Sequence, residues 1–193
     1  MGHLCVEYTL CTVTEAAACL QVYVQHHASL LPIVLKVIEG HQEDEEWEQA
    51  RDNAVGALGQ ILYNHEGLTT GTQGMQLASV WLNCLPLYGD EEEAGKQHEL
   101  LHKFLLANDA RIIGENNANL PKIADVFVKV IGRGDSLLPE AHAQPFRQFF
   151  LQQMRPVLEA HGCDLQALVR QLEPKDQYRF TAALQEQSPS PLV

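Results

Sequence analysis

Aromatic residues make up only 7% of this chain, and no stretch of it stays apolar for the roughly 20 residues that a bilayer-spanning helix needs. The second shortage argues against a transmembrane segment. The first, with modest glycine and proline, means that the core has to be built from Leu, Val, Ile and Ala, a set that favours helices over sheets. Basic residues are missing from the start: nothing basic precedes Lys36, so neither the n-region of a signal peptide nor an Arg-rich transit peptide is present. The opening MGHLCV also carries Val6 where a myristoylation signal needs Ser or Thr. The five cysteines (Cys5, Cys11, Cys19, Cys84, Cys163) form no C-x-x-C pair, and an odd, scattered set suits core thiols in a reducing compartment. A soluble intracellular protein is expected. The chain also lacks a Gly-rich phosphate loop, a G-x-S-x-G elbow and a Cys-His motif, so no catalytic residue and no cofactor is expected.

What the chain does have is ordinary globular material, 46% hydrophobic and 20% charged over 193 residues, enough to bury a sizeable core. Its charge is uneven. From His41 to His102 twelve acids face only Arg51 and Lys96, a local net of −10, whereas from Lys103 onward ten acids meet ten bases. Such a field repels phosphate backbones and anionic lipid, which excludes nucleic acid and membrane surfaces as partners, and it attracts basic protein segments.

Apolar periodicity divides the chain into paired helices. An incomplete unit covers 1–28, with a poorly patterned start and a helix from Thr14 to His27, where the His26-His27 pair caps the end. A first hairpin spans 29–64: a helix from Ser29 to Glu39 with Pro32 in its first turn and Gly40 as a stop, the loop HQEDEE, and a helix from about Glu46 with Ala50, Ala54, Ala57, Leu58, Ile61 and Leu62 on one face. A second spans 75–108, from Met75 to Leu85 and, after GDEEEA, to about Asn108. A third spans 120–161, with Leu120 to Ile131 followed by a longer helix from Glu140 to His161 that Pro145 and Pro156 should each kink or break. Two short capping helices, 164–172 and 174–187, precede a frayed tail at 188–193.

The proline that heads a first helix recurs from Pro32 to Pro121, about two units of roughly 45 residues, the length of a HEAT or armadillo unit. The fold class expected is all-α: a HEAT-repeat α-solenoid, a right-handed superhelical stack of antiparallel helix pairs with an extended concave surface.

More specific than periodicity are the segments RDNAVGALGQIL, VWLNCLPLYGDEEEA, IIGENNANLPKIADVF and QLEPKDQYRFTAALQ. Together they resemble the C-terminal end of a β-karyopherin, most closely the importin-five (importin beta-three) subfamily. The third carries the most weight, since the loop residues Gly114, Asn116, Asn117 and Asn119 leading to Pro121 are not required by a generic HEAT repeat. The resemblance implies a C-terminal fragment of a nuclear import receptor, shared between cytoplasm and nucleus. It also implies basic cargo or nuclear localisation segments, phenylalanine-glycine nucleoporins and the GTPase Ran as partners, with Ran held mainly by N-terminal repeats absent here. No family site maps residue by residue. Residues 1–13 and Leu137 to His161 depart from the family's pattern.

Two constellations invite a functional reading. The acid runs Glu43, Asp44, Glu45, Glu46 and Asp90, Glu91, Glu92, Glu93 stand at the starts of consecutive second helices, where negative charge favours the helix dipole. Repeat stacking would gather them on one edge, with Trp47 beside them to pack the stems of a Lys/Arg-rich cargo segment. The other is His98-Glu99-Leu100-Leu101-His102, the H-E-x-x-H spacing of a zinc hydrolase. Asn108 occupies the place of the extended motif's third ligand, and Leu105 that of its glycine. His98 falls on the apolar stripe facing the hairpin partner, so a half-buried structural histidine is expected, and no metal.

Overall fold

The structure, a computed structural model, describes residues 24–40, 47–65 and 69–185. Among them every regular element is helical and none is a strand. The helices are α1 (Val24–Gly40), α2 (Glu48–Asn64), α3 (Gly71–Cys84), α4 (Glu91–Leu106), the single turn α5 (Ala110–Ile113), α6 (Leu120–Arg133), α7 (Glu140–Phe149), α8 (Arg155–Ala160), α9 (Leu165–Arg170) and α10 (Pro174–Gln185). The reading of 1–23 and of the tail lies outside the described residues.

The centre of the N-terminal half is α2. Its Ala50, Ala54, Ala57, Leu58, Ile61 and Leu62 are buried as the apolar stripe requires, but so are Asp52, Asn53, Val55, Gly56 and Gly59. A helix buried nearly all round must have neighbours on several sides, and α2 lies against α1, α3 and α4. Two glycines make the closest approach possible. A Cβ on Gly56 would sit 2.0 Å from Glu93 Oε1, and one on Gly59 would sit 2.1 Å from Gln97 Oε1. Helix α1 contributes Leu31, Val34, Val37 and Ile38, an i, i+3, i+6, i+7 stripe.

The C-terminal half is organised on α6, which presents Leu120, Ile123, Phe127, Val130 and Ile131 to the core and is followed by α7. Phe127 stacks on Phe146 at 4.5 Å and on Phe150 at 5.3 Å between centroids, and Phe150 meets Phe180 of α10 edge-on at 6.1 Å. Gly132 lets α6 approach the last segment, since a Cβ there would lie 2.8 Å from Leu172. The two halves join where α4 lies against α7 and α3 against α6, and one hydrophobic cluster runs through both.

Several boundaries differ from the sequence reading, each for a local reason. Helix α1 begins at Val24, not Ser29, so Pro32 is interior and His26-His27 lie within the helix instead of capping its end. The lost Pro32 amide removes one rung, which the rest of a 17-residue helix tolerates. Helix α3 begins at Gly71, so half of the supposed loop GLTTGTQG is helical. Helix α4 stops at Leu106 in a Schellman cap: Asn108 is left-handed at φ 50°, Asp109 N–H donates to Phe104 O at 3.0 Å and Asn108 N–H to Leu105 O at 3.1 Å.

In the long third-hairpin helix, Pro145 produces no break. The interruption is a π-helical turn, Phe150–Met154, where Arg155 N–H reaches back to Phe150 O. Pro156 follows immediately, near the start of α8, and has no N–H to give Gln152. The wide turn absorbs that missing bond. Helix α8 then ends in a second Schellman cap, with Gly162 at φ 78° and Cys163 N–H on Leu158 O at 2.9 Å.

Candidate interaction edge

The beginnings of α2 and α4 meet, and a buried carboxylate holds them together. Asp52, on the second turn of α2, accepts hydrogen bonds at Oδ2 from Gly89 N–H (2.8 Å) and Asp90 N–H (3.1 Å). Gln49 Nε2 donates to Asp90 Oδ2 at 3.3 Å, and a Cβ on Gly89 would lie 2.4 Å from the Glu48 side chain. Asp90 in turn caps α4, its Oδ1 accepting from Glu93 N–H at 3.0 Å. Burial pushes the Asp52 carboxyl above its ordinary range, and the two backbone donors pull it back only in part.

The acid run at 90–93 therefore divides by role. Glu91 and Glu92 are exposed, and Glu92 pairs with Lys96 at 2.8 Å. Glu93 is only 3% exposed and so cannot meet a partner protein, which corrects its place among the cargo-binding candidates. An acid at the third helical position turns inward here because Gly56 leaves room for it. Its Oε1 accepts from Gln97 Nε2 at 2.8 Å, and Gln97 Oε1 accepts from Trp81 Nε1 at 2.9 Å. Burial raises the Glu93 pKa, which the Gln97 hydrogen bond and the Lys96 charge oppose. Trp47 precedes α2 at the same edge, half-buried. Glu43, Asp44, Glu45 and Glu46 lie outside the described residues.

The H-E-x-x-H residues occupy three different environments. His98 is fully buried, not half-buried, and it faces the next hairpin instead of its own: Nδ1 lies 2.7 Å from Leu137 O, in the turn between α6 and α7. That contact makes Nδ1 the donor. Burial lowers its pKa to about 4, so the ring is neutral. His102, one turn on, lies with its ring against Phe149 at 4.5 Å and edge-on to Phe146 at 5.9 Å, and burial lowers its pKa as well. Glu99 pairs with Lys103 at 2.7 Å and with His142 of α7 at 3.1 Å. Among the described residues no group of three or more His, Cys, Asp or Glu side chains is arranged to hold a metal ion.

The loop residues Gly114, Asn116, Asn117 and Asn119 form a backbone device. Gly114 adopts φ 79°, Asn116 and Asn117 are left-handed at φ 52° and 64°, and Asn119 Nδ2 donates to Ile112 O at 2.9 Å. Glycine and asparagine are the residues that tolerate these conformations. Pro121 then sits in the first turn of α6, where its missing N–H costs nothing. Upstream, Arg111 docks the segment onto the first hairpin, donating to Leu62 O at 3.1 Å and Thr69 Oγ1 at 2.7 Å. Downstream, Lys122 Nζ donates to Leu85 O at 2.6 Å, closing the end of α3.

Asp52, Gln97 and Arg111 were not singled out from the sequence. Asp52 carried a signal that could have found it: it is the one acid of α2 beyond its first turn, and it stands between Ala50 and Ala54 of the apolar stripe. No described helix is long and apolar enough to cross a membrane. No model of a known protein family matches the chain.

Proposed function

We propose that this chain is a protein-binding segment of HEAT-type helical repeats, and that it serves as the C-terminal part of a β-karyopherin-like nuclear import receptor. The observation that carries the reading is the succession of second helices: α4 lies between α2 and α7, while the first helices α3 and α6 also touch. Contact of like helix with like helix from one hairpin to the next is what a solenoid stack requires. The four karyopherin-like segments support the transport reading, since the loop at 114–121 has a geometry that those residues in particular satisfy.

On this reading the edge formed by the starts of α2 and α4 receives the Lys/Arg-rich segments of basic cargo. Its exposed Glu91 and Glu92 and half-buried Glu48, continued by 43–46 in sequence, attract at range. The half-buried Trp47 offers a surface for aliphatic stems. Contact with nucleoporins belongs to the same proposal, and so does weak engagement of Ran, whose principal repeats would lie elsewhere.

A Lys-rich peptide titrated against the chain and against a variant with Glu43, Glu45, Glu46, Glu91 and Glu92 changed to Gln and Asp44 to Asn tests it. Asp90 and Glu93 are kept because one caps α4 and the other is buried. About a tenfold loss of affinity, equivalent to about 1.4 kcal/mol, is expected at low ionic strength, shrinking at physiological salt. Equal binding by the two proteins removes the cargo assignment. Capture of phenylalanine-glycine nucleoporins distinguishes an import receptor from a HEAT scaffold unrelated to transport.

A further inference from the structure

Two helix starts that lie far apart in sequence make up the acidic edge, and one buried side chain joins them. Asp52 is 0% exposed, and its Oδ2 accepts from both Gly89 N–H at 2.8 Å and Asp90 N–H at 3.1 Å. Among the described residues its Oδ1 has no hydrogen-bond donor, the Arg51 guanidinium lying 3.8 Å away. The two anchored amides stand immediately before the exposed carboxylates, since Glu91 and Glu92 follow them as the first residues of α4. On the α2 side Glu48 comes one turn before Asp52, and its side chain packs so closely on Gly89 that a Cβ there would lie 2.4 Å from it.

The other polar tie across the same gap is weaker. Gln49 Nε2 reaches Asp90 Oδ2 at 3.3 Å, but that contact is exposed, and water competes for both groups. The Asp52 carboxylate is shielded from water, and its two bonds are charge-assisted, roughly twice as strong as neutral ones. Without it, two part-buried N–H groups would lose their acceptor. A fold anchor needs no more than this. What sets this anchor apart is where it acts: it fixes the backbone from which the α4 acids project, and it does so from the helix that carries the rest of the edge.

We propose that Asp52 is the positioning residue of the acidic edge: buried and out of reach of any cargo, it holds Glu91 and Glu92 of α4 in a fixed placement against Glu48 of α2, and so sets the affinity for Lys/Arg-rich segments. The inference rests on the cargo reading above and adds to it a residue that lies outside the contact surface. Carboxylates already held in place spare the complex the cost of ordering them on arrival. They also impose a register on the basic residues that meet them. Without Asp52 the exposed charges and their long-range attraction remain, but the placement is lost.

The test is calorimetric titration of the Lys-rich peptide into the full chain and three variants at low ionic strength, which reads dissociation constant and stoichiometry separately. Asp52→Asn removes the charge but keeps an oxygen that can accept from both amides. Asp52→Ala removes the acceptor. Gly89→Ala changes no charge, yet its Cβ, 2.4 Å from the Glu48 side chain and 3.1 Å from Asp52 Oδ2, displaces the same backbone. About a tenfold rise in dissociation constant is expected for Asp52→Ala and Gly89→Ala, with Asp52→Asn within about threefold of the parent. Amide hydrogen exchange at Gly89 and Asp90 should quicken in the same two variants. If Asp52→Ala fails to fold, Gly89→Ala carries the comparison. An anchor that served stability alone would reduce the number of binding-competent molecules and leave the dissociation constant of the rest unchanged, and that result overturns the proposal. So does an Asp52→Asn variant as weak as Asp52→Ala, which assigns the effect to charge and not to placement. Equal binding by all four proteins removes the role of Asp52 and leaves the cargo reading standing, whereas absence of binding by the parent removes both.

Discussion

The two halves of the molecule solve the same packing problem with opposite materials. Between α2, α3 and α4 the helices are brought close by Gly56, Gly59 and a row of alanines, and the narrow space is threaded by the polar chain Glu93, Gln97, Trp81. Between α6, α7 and α10 the space is filled by aromatic volume, Phe127 at the centre with Phe146, Phe149 and Phe150 around it. Small residues with satisfied hydrogen bonds define one register and reject others. Stacked rings supply large buried area and an attraction that depends on their offset or edge-on geometry. His98 stands at the seam, one ring linking α4 to the turn before α7.

The contrast can be broken most severely at its aromatic pole. Phe127→Ala should cost about 3–5 kcal/mol in denaturant unfolding, since it removes a fully buried ring and leaves a cavity among three others. The seam comes next. His98 has an ordinary pKa near 6.5 when unfolded and about 4 when folded, so its contribution is whole above about pH 6.5 and declines as the pH falls through 4. That depression corresponds to about 3 kcal/mol. Stability measured across that window should fall in the parent and show a flatter profile in His98→Gln, once both are referred to their values near neutrality.

A smaller effect is expected at the glycine pole. Gly59→Ala puts a Cβ 2.1 Å from Gln97 Oε1 and 2.6 Å from Trp81 Nε1, and should cost about 1–3 kcal/mol with a change in tryptophan emission. The same substitution at Gly40, with nothing within 4 Å, should be nearly neutral. Smallest is Glu93→Gln, which keeps the acceptor for Gln97. Because burial raises the Glu93 pKa, the folded protein holds that proton more tightly than the unfolded chain does. Its stabilising contribution is present at acid pH and lost as the pH rises through the folded pKa. The variant should therefore be at least as stable as the parent near neutrality and lose that advantage in acid. A pH profile in which the parent overtakes it as pH rises would reverse the sign.

The sequence was most legible where periodicity and punctuation agree. Helix α6, headed by Leu120-Pro121 and carrying an unbroken apolar stripe, differs from its reading by two residues at its end. It was least legible where a side chain had two good destinations. Glu93 reads as one more acid of an exposed run, and only the missing side chain of Gly56, 37 positions earlier, turns it inward. His98 shows the same limit: its helical-wheel position announced burial but not Leu137 as the partner. Pro145 and Pro156 marked disturbance near the right place, yet the π-helical turn lies between them, because backbone bonds can be regrouped over a whole turn before a proline.

The chain's two tryptophans stand at very different depths. Trp81 is sealed against solvent, its indole N–H held by Gln97 and its ring edge-on to Phe104 at 5.5 Å. Trp47 is half-buried where α2 begins. An aqueous quencher such as iodide therefore reaches one and not the other. Emission from this protein separates into an accessible signal that senses whatever touches the acidic edge and a shielded signal that changes only when α2, α3 and α4 come apart, so a docking event and an unfolding event can be followed in one cuvette without a label.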